Sequence, residues 1–259
     1  MEYMQISLTC MKQPENMYLC KPNEKITTTI QKSAMKIDHI ENEIEELGDA
    51  HASGSAETPL KKDAFNLSDT EKIALITEDV KHILDTLGMD LSDDSLRGTP
   101  MRVAKMFVKE IFAGLDPQRK PKASIFENKY KYGEMLVEKN ITVYSTCEHH
   151  LLPIVGRAHV AYISNGSVIG LSKMNRIVDY FAKRPQVQER MTMQIVQELQ
   201  KALGTKDVAC VVDAKHLCVN SRGIRDIESS TVTSEFGGAF KDPGVKREFL
   251  DYIKLDTTF

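Results

Sequence analysis

Two short clusters of cysteine and histidine hold the densest chemistry in the sequence. The first reads Cys-Glu-His-His from residue 147, and the second reads His-Leu-Cys from residue 216. Zinc prefers thiolate and imidazole ligands, often two to four residues apart. Cys147 and His150 have this spacing. His216 and Cys218 alternate on a predicted strand, which would place both on one side of it. The clusters therefore predict a metal site.

The five candidate ligands leave two kinds of metal site open. A closed structural site takes four protein ligands, whereas a catalytic site takes three and keeps one position for water. A zinc finger is disfavoured, because the clusters are far apart and no second C-x-x-C exists. The alternative without a metal makes Cys147 and Cys218 core residues and leaves the histidines on the surface.

Two polar helix starts suit an anionic ligand. Residues 170–176 open a helix in which Ser172 can act as the cap, with Lys173 and Arg176 on neighbouring turns. Such a start attracts phosphate, although many solvated helices begin in the same way. In the second start, Gln188 and Glu189 have the groups to read the edge of a purine. An ordinary polar first turn is the alternative there too.

Two further arginines are placed by their neighbours. Arg222 follows the predicted Cys218 strand directly and would therefore lie near a metal bound there. Arg102 lies in a predicted helix, where it has the features of a simple surface charge. Neither position identifies a ligand by itself.

The elements that must position these residues follow from capping and periodicity. Ser68 to Glu71 form a capping box that opens a helix ending at Gly88. Asn165-Gly166 predicts a tight hairpin turn. The remaining predictions are a helix from Thr99-Pro100 to Gly114, a helix from Arg184-Pro185 to Gly204, and strands at 135–143, 157–163, 167–170, 208–213 and 216–219. This order predicts an α+β chain, with helices first and then an antiparallel sheet interrupted by a helix.

Composition separates an N-terminal extension from one main domain. The chain has 259 residues and a net charge of −3, which disfavours a nucleic-acid surface. We read residues 1–66 as an acidic, mostly disordered extension with a short helix at 37–47, and residues 67–259 as the main, ordered domain. An acidic binding tail is the alternative for the extension.

The location follows from what the sequence lacks. No apolar run is long enough for a membrane span, and residues 1–10 lack the features of a signal peptide. Five cysteines are an odd number, which disfavours a disulfide framework. We therefore expect a cytoplasmic protein with no membrane or nucleic-acid partner.

Several motifs in register resemble the GTP cyclohydrolase I family. The resemblance covers about residues 67–253, and it departs from the family where Ser164 replaces the usual proline before the Asn165-Gly166 turn. The matching stretches are residues 145–150, 168–173, 184–190, 216–219, 221–226 and 231–233.

The resemblance implies roles that spacing left open. Cys147, His150 and Cys218 match the three zinc ligands, with water in the fourth position. His149 and His216 match the catalytic histidines, and we group Ser172 with them because it matches a residue near the ribose and triphosphate. The implied substrate contacts are Gln188 and Glu189 for guanine, and Lys173, Arg176, Arg222 and, from another subunit, Arg102 for the ribose and phosphates.

The resemblance also implies an activity and an assembly. The expected reaction is the zinc-dependent opening of the guanine imidazole ring of GTP, which releases formate and yields 7,8-dihydroneopterin triphosphate for pterin synthesis. The expected fold is the tunnelling fold, with an N-terminal helical pair, helices on one face of an antiparallel sheet, and sheets that close into a ring in a homodecamer. The rivals are another tunnelling-fold pterin or deazapurine enzyme and an inactive, zinc-stabilised binding module. A regulatory partner protein is not specified.

Overall fold

The computed structural model describes residues 9–12, 18–21 and 55–256, in two compact units divided after Gly54. In the first unit, strand β1 (Thr9–Lys12) pairs antiparallel with β2 (Tyr18–Lys21). The helix predicted at residues 37–47 lies outside the described residues. The second unit begins at Ser55, upstream of Leu67, where sequence analysis placed the start of the domain.

The N-terminal helical pair forms as predicted, although its second helix is short. Helix α1 (Asp69–Thr86) starts with the expected capping box between Ser68 and Glu71. Helix α2 (Thr99–Met106) changes at Phe107 into a π-helical turn, in which the Phe112 N–H donates to the Phe107 carbonyl. The prediction of one helix up to Gly114 is therefore wrong. The wider turn brings the rings of Phe107 and Phe112 to 5.2 Å between centroids.

A five-stranded sheet forms the centre of the second unit. Its order is β7-β4-β5-β8-β9, with antiparallel pairs except for the parallel pair of β7 and β4. The strand bounds are β4 Met135–Cys147, β5 Pro153–Ile163, β7 Pro185–Gln186, β8 Val208–His216 and β9 Thr231–Phe236. The ends of β4 and β8 carry the two cysteine and histidine clusters.

The hairpin predicted around Asn165-Gly166 is wrong. The strand after the turn, β6 (Ser167–Ile169), pairs with β3 (Ile125–Glu127) in a separate two-stranded sheet. β5 has no free edge for it, because β4 and β8 occupy its two sides. Gly166 does have the positive φ, +88°, that favours glycine.

Two further boundaries differ from the predictions. Helix α4 (Gln188–Leu203) begins after Pro185, because Pro185–Gln186 instead pairs with the end of β4. The predicted strand at 216–219 is also wrong. The ladder with β5 ends at the Ile154–His216 pair, and the chain then turns into helix α5 (Leu217–Asn220).

Helices cover both faces of the sheet. Helices α3 (Leu171–Ala182) and α4 pack on the face that carries Val160 and Val212. The last helix, α6 (Pro243–Lys254), packs through Phe249 against alternate residues of the same strands, such as Val211, and so lies on the opposite face. The α+β prediction is confirmed, and the antiparallel sheet with its helices is consistent with the expected tunnelling fold. The expectation of helices on one face only is wrong, because α6 covers the other face. In the part of the chain described here, no helix is long and apolar enough to cross a membrane.

Gly156 allows a close contact between β5 and β8. A Cβ atom there would lie 2.1 Å from the Asp213 carbonyl oxygen and 2.4 Å from the Ala214 Cβ. We expect Gly156→Ala to lower the free energy of unfolding by about 1–3 kcal/mol through overpacking. Urea unfolding at one protein concentration measures this. Gly133→Ala is the control, because a Cβ at Gly133 meets nothing within 4 Å. Equal midpoints for the two variants would contradict the packing argument.

Candidate metal centre

Three side chains meet at one end of the sheet. Cys147 is the last residue of β4, and His150 follows in a tight turn closed by the Leu151 N–H to the Cys147 carbonyl at 2.9 Å. Cys218 comes from α5, directly after β8. The ligand atoms of Cys147, His150 and Cys218 all lie within 4.8 Å of one another, the spacing of a group that could hold a metal ion.

The donor set fits zinc. Two thiols and one imidazole match the preferences of this ion, and three protein ligands are typical of a catalytic site that keeps one position open. Cys147 is buried, Cys218 is half-buried and His150 is exposed. The centre is therefore anchored on the protein side and faces solvent on the other.

The two thiols have different proton affinities. A hydrogen bond with His216 is the main cause that lowers the pKa of Cys147 to about 5, with smaller contributions from other nearby donors. Burial raises the pKa of Cys218, and its hydrogen bond with Cys147 raises it further. Because metals bind the thiolate, Cys147 already favours its ligating form at neutral pH.

His216 is oriented by a buried glutamine. Gln188, which is 1% exposed, donates through Nε2 to the carbonyls of Val212 and Thr231 at 3.1 and 2.8 Å and to Thr233 Oγ1 at 3.1 Å. Carbonyls only accept, so the amide oxygen must face His216 Nε2, 2.7 Å away. The Nε2 atom therefore carries a proton and donates it to Gln188.

His149 lies beside the same centre. Its Nδ1 atom is 3.7 Å from the Cys147 sulfur, and its ring lies edge-on to that of His150 at 6.5 Å between centroids. The side chain is exposed. The structure thus brings both predicted catalytic histidines next to the three candidate ligands.

The start of α3 differs from the prediction in one respect. Gly170 occupies the N-cap position without a side-chain hydrogen bond, and Ser172 lies inside the first turn, so the predicted Ser172 cap is wrong. Ser172 is exposed and Lys173 is half-buried. Arg176, one turn on, lines a surface cavity together with Tyr180.

The other predicted contacts lie on the surface of the single chain. Glu189 is exposed in the first turn of α4, and Arg222 is exposed in the segment after α5. Arg102 donates to the Ser95 carbonyl and to Thr99 Oγ1 near the start of α2. Gln188, predicted to contact substrate, forms hydrogen bonds to the protein through both polar atoms of its side chain.

Sequence analysis gave no role to an ion pair behind the centre. Glu148, between Cys147 and His150, bonds the buried side chain of Arg190. Glu148 and Arg190 lie inside the stretches that match the family, residues 145–150 and 184–190, and no other feature of the sequence indicated their role. No periodicity or spacing pairs two residues so far apart in the chain.

Comparison with known proteins shows which family the chain belongs to. The family model for GTP cyclohydrolase I matches residues 76–254. The GTP cyclohydrolase 1 of Flavobacterium johnsoniae is 78% identical over 219 residues, which are 85% of this chain and 98% of the relative. That of Aeromonas salmonicida is 53% identical over 199 residues, 76% of this chain and 90% of the relative. That of Aliivibrio fischeri is 52% identical over 207 residues, with coverages of 80% and 94%.

The buried amide of Gln188 provides a test of this arrangement. Gln188→Met keeps the approximate shape but leaves the Thr231 carbonyl and His216 Nε2 without their partner. We expect the free energy of unfolding to fall by about 1–3 kcal/mol, the usual cost of an unsatisfied buried polar group. Denaturant unfolding measures this, with Gln197→Met, at an exposed position of the same helix, as the control. Unfolding of both variants at the parent's midpoint would rule out the network.

Proposed function

The chain belongs to the GTP cyclohydrolase I family, and we propose that its reaction takes place at the centre formed by Cys147, His150 and Cys218. The enzyme hydrolytically opens the imidazole ring of GTP, releases formate and yields 7,8-dihydroneopterin triphosphate. The observation that carries the proposal is the convergence of these three ligand atoms within 4.8 Å. The family match excludes the rival pterin and deazapurine enzymes. The two histidines beside the centre argue against an inactive zinc-binding module.

Zinc is the metal that we propose for this centre. The two thiolates and the imidazole would hold it, and zinc bound in this way supplies a water whose pKa is lowered to about 7, a nucleophile at neutral pH. Thiolate ligands favour zinc over magnesium or calcium, which prefer oxygen.

The histidines supply proton transfer. Opening the guanine ring requires attack at C8, and a proton delivered to N7 makes that carbon electrophilic. An imidazole titrates in the right range for this work. His216 is kept in place by Gln188 through its Nε2 atom, while His149 lies on the exposed side next to Cys147. We assign both as catalytic residues and group Ser172 with them near the ribose.

Glu189 is the proposed anchor for guanine. Its carboxylate can accept hydrogen bonds from N1–H and from the exocyclic amino group, which together distinguish guanine from adenine. Its exposed position in the first turn of α4 leaves it accessible to a ligand. Gln188 stands next to it and contributes to the guanine site by fixing His216, since its amide is already engaged.

Cations near helix α3 are the proposed triphosphate contacts. Lys173 and Arg176 lie in the first turns of α3, where the helix dipole also favours an anion. Arg222 adds a charge from the segment after α5, close in sequence to Cys218. We assign Arg102 to the site of a neighbouring subunit.

A homodecamer with active sites between subunits is the proposed assembly. Apolar residues of the N-terminal helical pair support it: Leu75, Ile83 and Leu87 are 56, 55 and 71% exposed. Light scattering of the purified protein tests the mass. We also propose a cytoplasmic location, because a reducing compartment protects the paired thiols from oxidation.

One experiment should distinguish the three metal ligands from the two catalytic histidines. Replacing Cys147, His150 or Cys218 removes one of three protein ligands, so each variant should lose both zinc and turnover. His149→Ala and His216→Ala should lose turnover but keep zinc near one ion per chain. Metal analysis and the fluorescence of the oxidised pterin formed from GTP measure the two properties. Stoichiometric zinc in Cys218→Ser, or none in His149→Ala, would overturn the assignment.

Guanine recognition can be tested at Glu189. Glu189→Gln keeps the shape but replaces an ionic acceptor with a neutral amide, and a charge-assisted hydrogen bond is about twice as strong as a neutral one. We expect GTP affinity to fall by about tenfold or more, equivalent to about 1.4 kcal/mol, with zinc content unchanged. Titration calorimetry measures the affinity, and Glu78→Gln, exposed on α1, is the control. Parent-like affinity in Glu189→Gln would place the guanine anchor elsewhere.

A further inference from the structure

The Arg190 guanidinium is buried behind the metal centre and uses all three of its nitrogen atoms. Nη1 and Nη2 bond the two carboxylate oxygens of Glu148 at 2.5 and 3.2 Å. Nε donates to the Ser55 carbonyl at 2.7 Å. The Arg190 side chain is 5% exposed and that of Glu148 is 21% exposed. This is a bidentate, largely desolvated ion pair, the geometry in which arginine binds a carboxylate most specifically.

Glu148 is held from both its side chain and its backbone. Its N–H donates to the Gln186 carbonyl at 3.1 Å, and Gln186 lies opposite Cys147 in the parallel pair of β4 and β7. The residue thus sits between the ligands Cys147 and His150 and is attached to Gln186, just before α4, and to Arg190, in the first turn of α4. The turn is therefore attached both through the Glu148 backbone and through its side chain.

The Ser55 contact belongs to a short segment attached by two arginines. Besides Arg190, Arg184 donates to Thr58 Oγ1 at 3.2 Å. The Arg184 guanidinium lies 4.6 Å from the ring centres of both Tyr180 and Phe181. The segment that begins at Ser55 is therefore attached to Arg184, just before α4, and to Arg190, in the first turn of α4.

A contribution to folding stability is a weak explanation for this buried ion pair. Removing two charges from water costs several kcal/mol, and replacing a buried pair with apolar residues is often neutral or stabilising. A positioning role accounts for it better, because groups that support metal ligands from behind fix their orientation and commonly change metal affinity by about 10- to 100-fold.

We propose that Glu148 and Arg190 are positioning residues of the metal centre. Their ion pair holds the turn that presents Cys147 and His150, and the Ser55 carbonyl completes the coordination of the arginine. This inference rests on the proposed function in one respect, that the centre binds zinc.

Zinc affinity of three variants of the full chain tests the proposal. They are Glu148→Gln, Arg190→Met and the double variant, titrated with zinc alone in competition with a chelator. We expect each to bind zinc about 10- to 100-fold more weakly than the parent. Asp251→Asn is the control, because it removes an exposed ion pair with Lys254 in the last helix and should leave zinc affinity unchanged.

The double variant separates positioning from simple stability. Either single variant leaves a charge buried without its partner and can unfold for that reason, whereas the double variant leaves neither charge. Recovery of the parent's unfolding midpoint together with weak zinc binding supports the proposal. Zinc affinity within twofold of the parent in a folded double variant overturns it. Failure of the parent itself to bind zinc would instead contradict the proposed function.

Discussion

The metal centre depends on bringing two distant segments to one end of the sheet. Cys147 ends β4, and Cys218 follows β8, with β5 hydrogen-bonded between the two strands. A shift of one residue in either ladder would turn every side chain to the opposite face and separate the ligands. Gly156, where β8 leaves no room for a side chain on β5, belongs to the same constraint. Close packing of these strands is thus a condition for the chemistry as well as for the fold.

The interior amide of Gln188 links this framework to the reactive groups. It bonds β8 through Val212, β9 through Thr231 and Thr233, and the imidazole of His216. One side chain at the start of α4 therefore joins helix, sheet and catalytic histidine. A buried amide left partly unsatisfied would be costly, so the arrangement has few alternative states. The same rigidity holds His216 against Cys147, whose pKa it lowers.

The sequence predicted the parts of this structure that depend on local chemistry. The capping box at Ser68, the helix end at Gly204 and the α+β class follow from neighbouring residues. The hairpin at Asn165-Gly166 failed because strand pairing also depends on which edges are free, and β5 had none. The turn into α5 at Leu217 likewise follows from where the β5 ladder ends. Convergence of the two clusters was predicted from ligand chemistry, whereas the Glu148–Arg190 pair left no periodic signal.

Burial divides the proposed site according to what each part must do. Cys147, Gln188 and Arg190 are buried, as expected of groups whose positions must not vary. Glu189, Arg176 and Arg222, proposed for guanine and the triphosphate, are exposed. An unpaired charge that is buried in the free protein would cost several kcal/mol. A solvated charge avoids this desolvation cost and still attracts an anionic ligand from a distance. A rigid interior and a solvated, charged rim therefore suit this reaction. The imidazole ring of guanine would be opened at the rigid centre, while the triphosphate would be bound at the solvated rim.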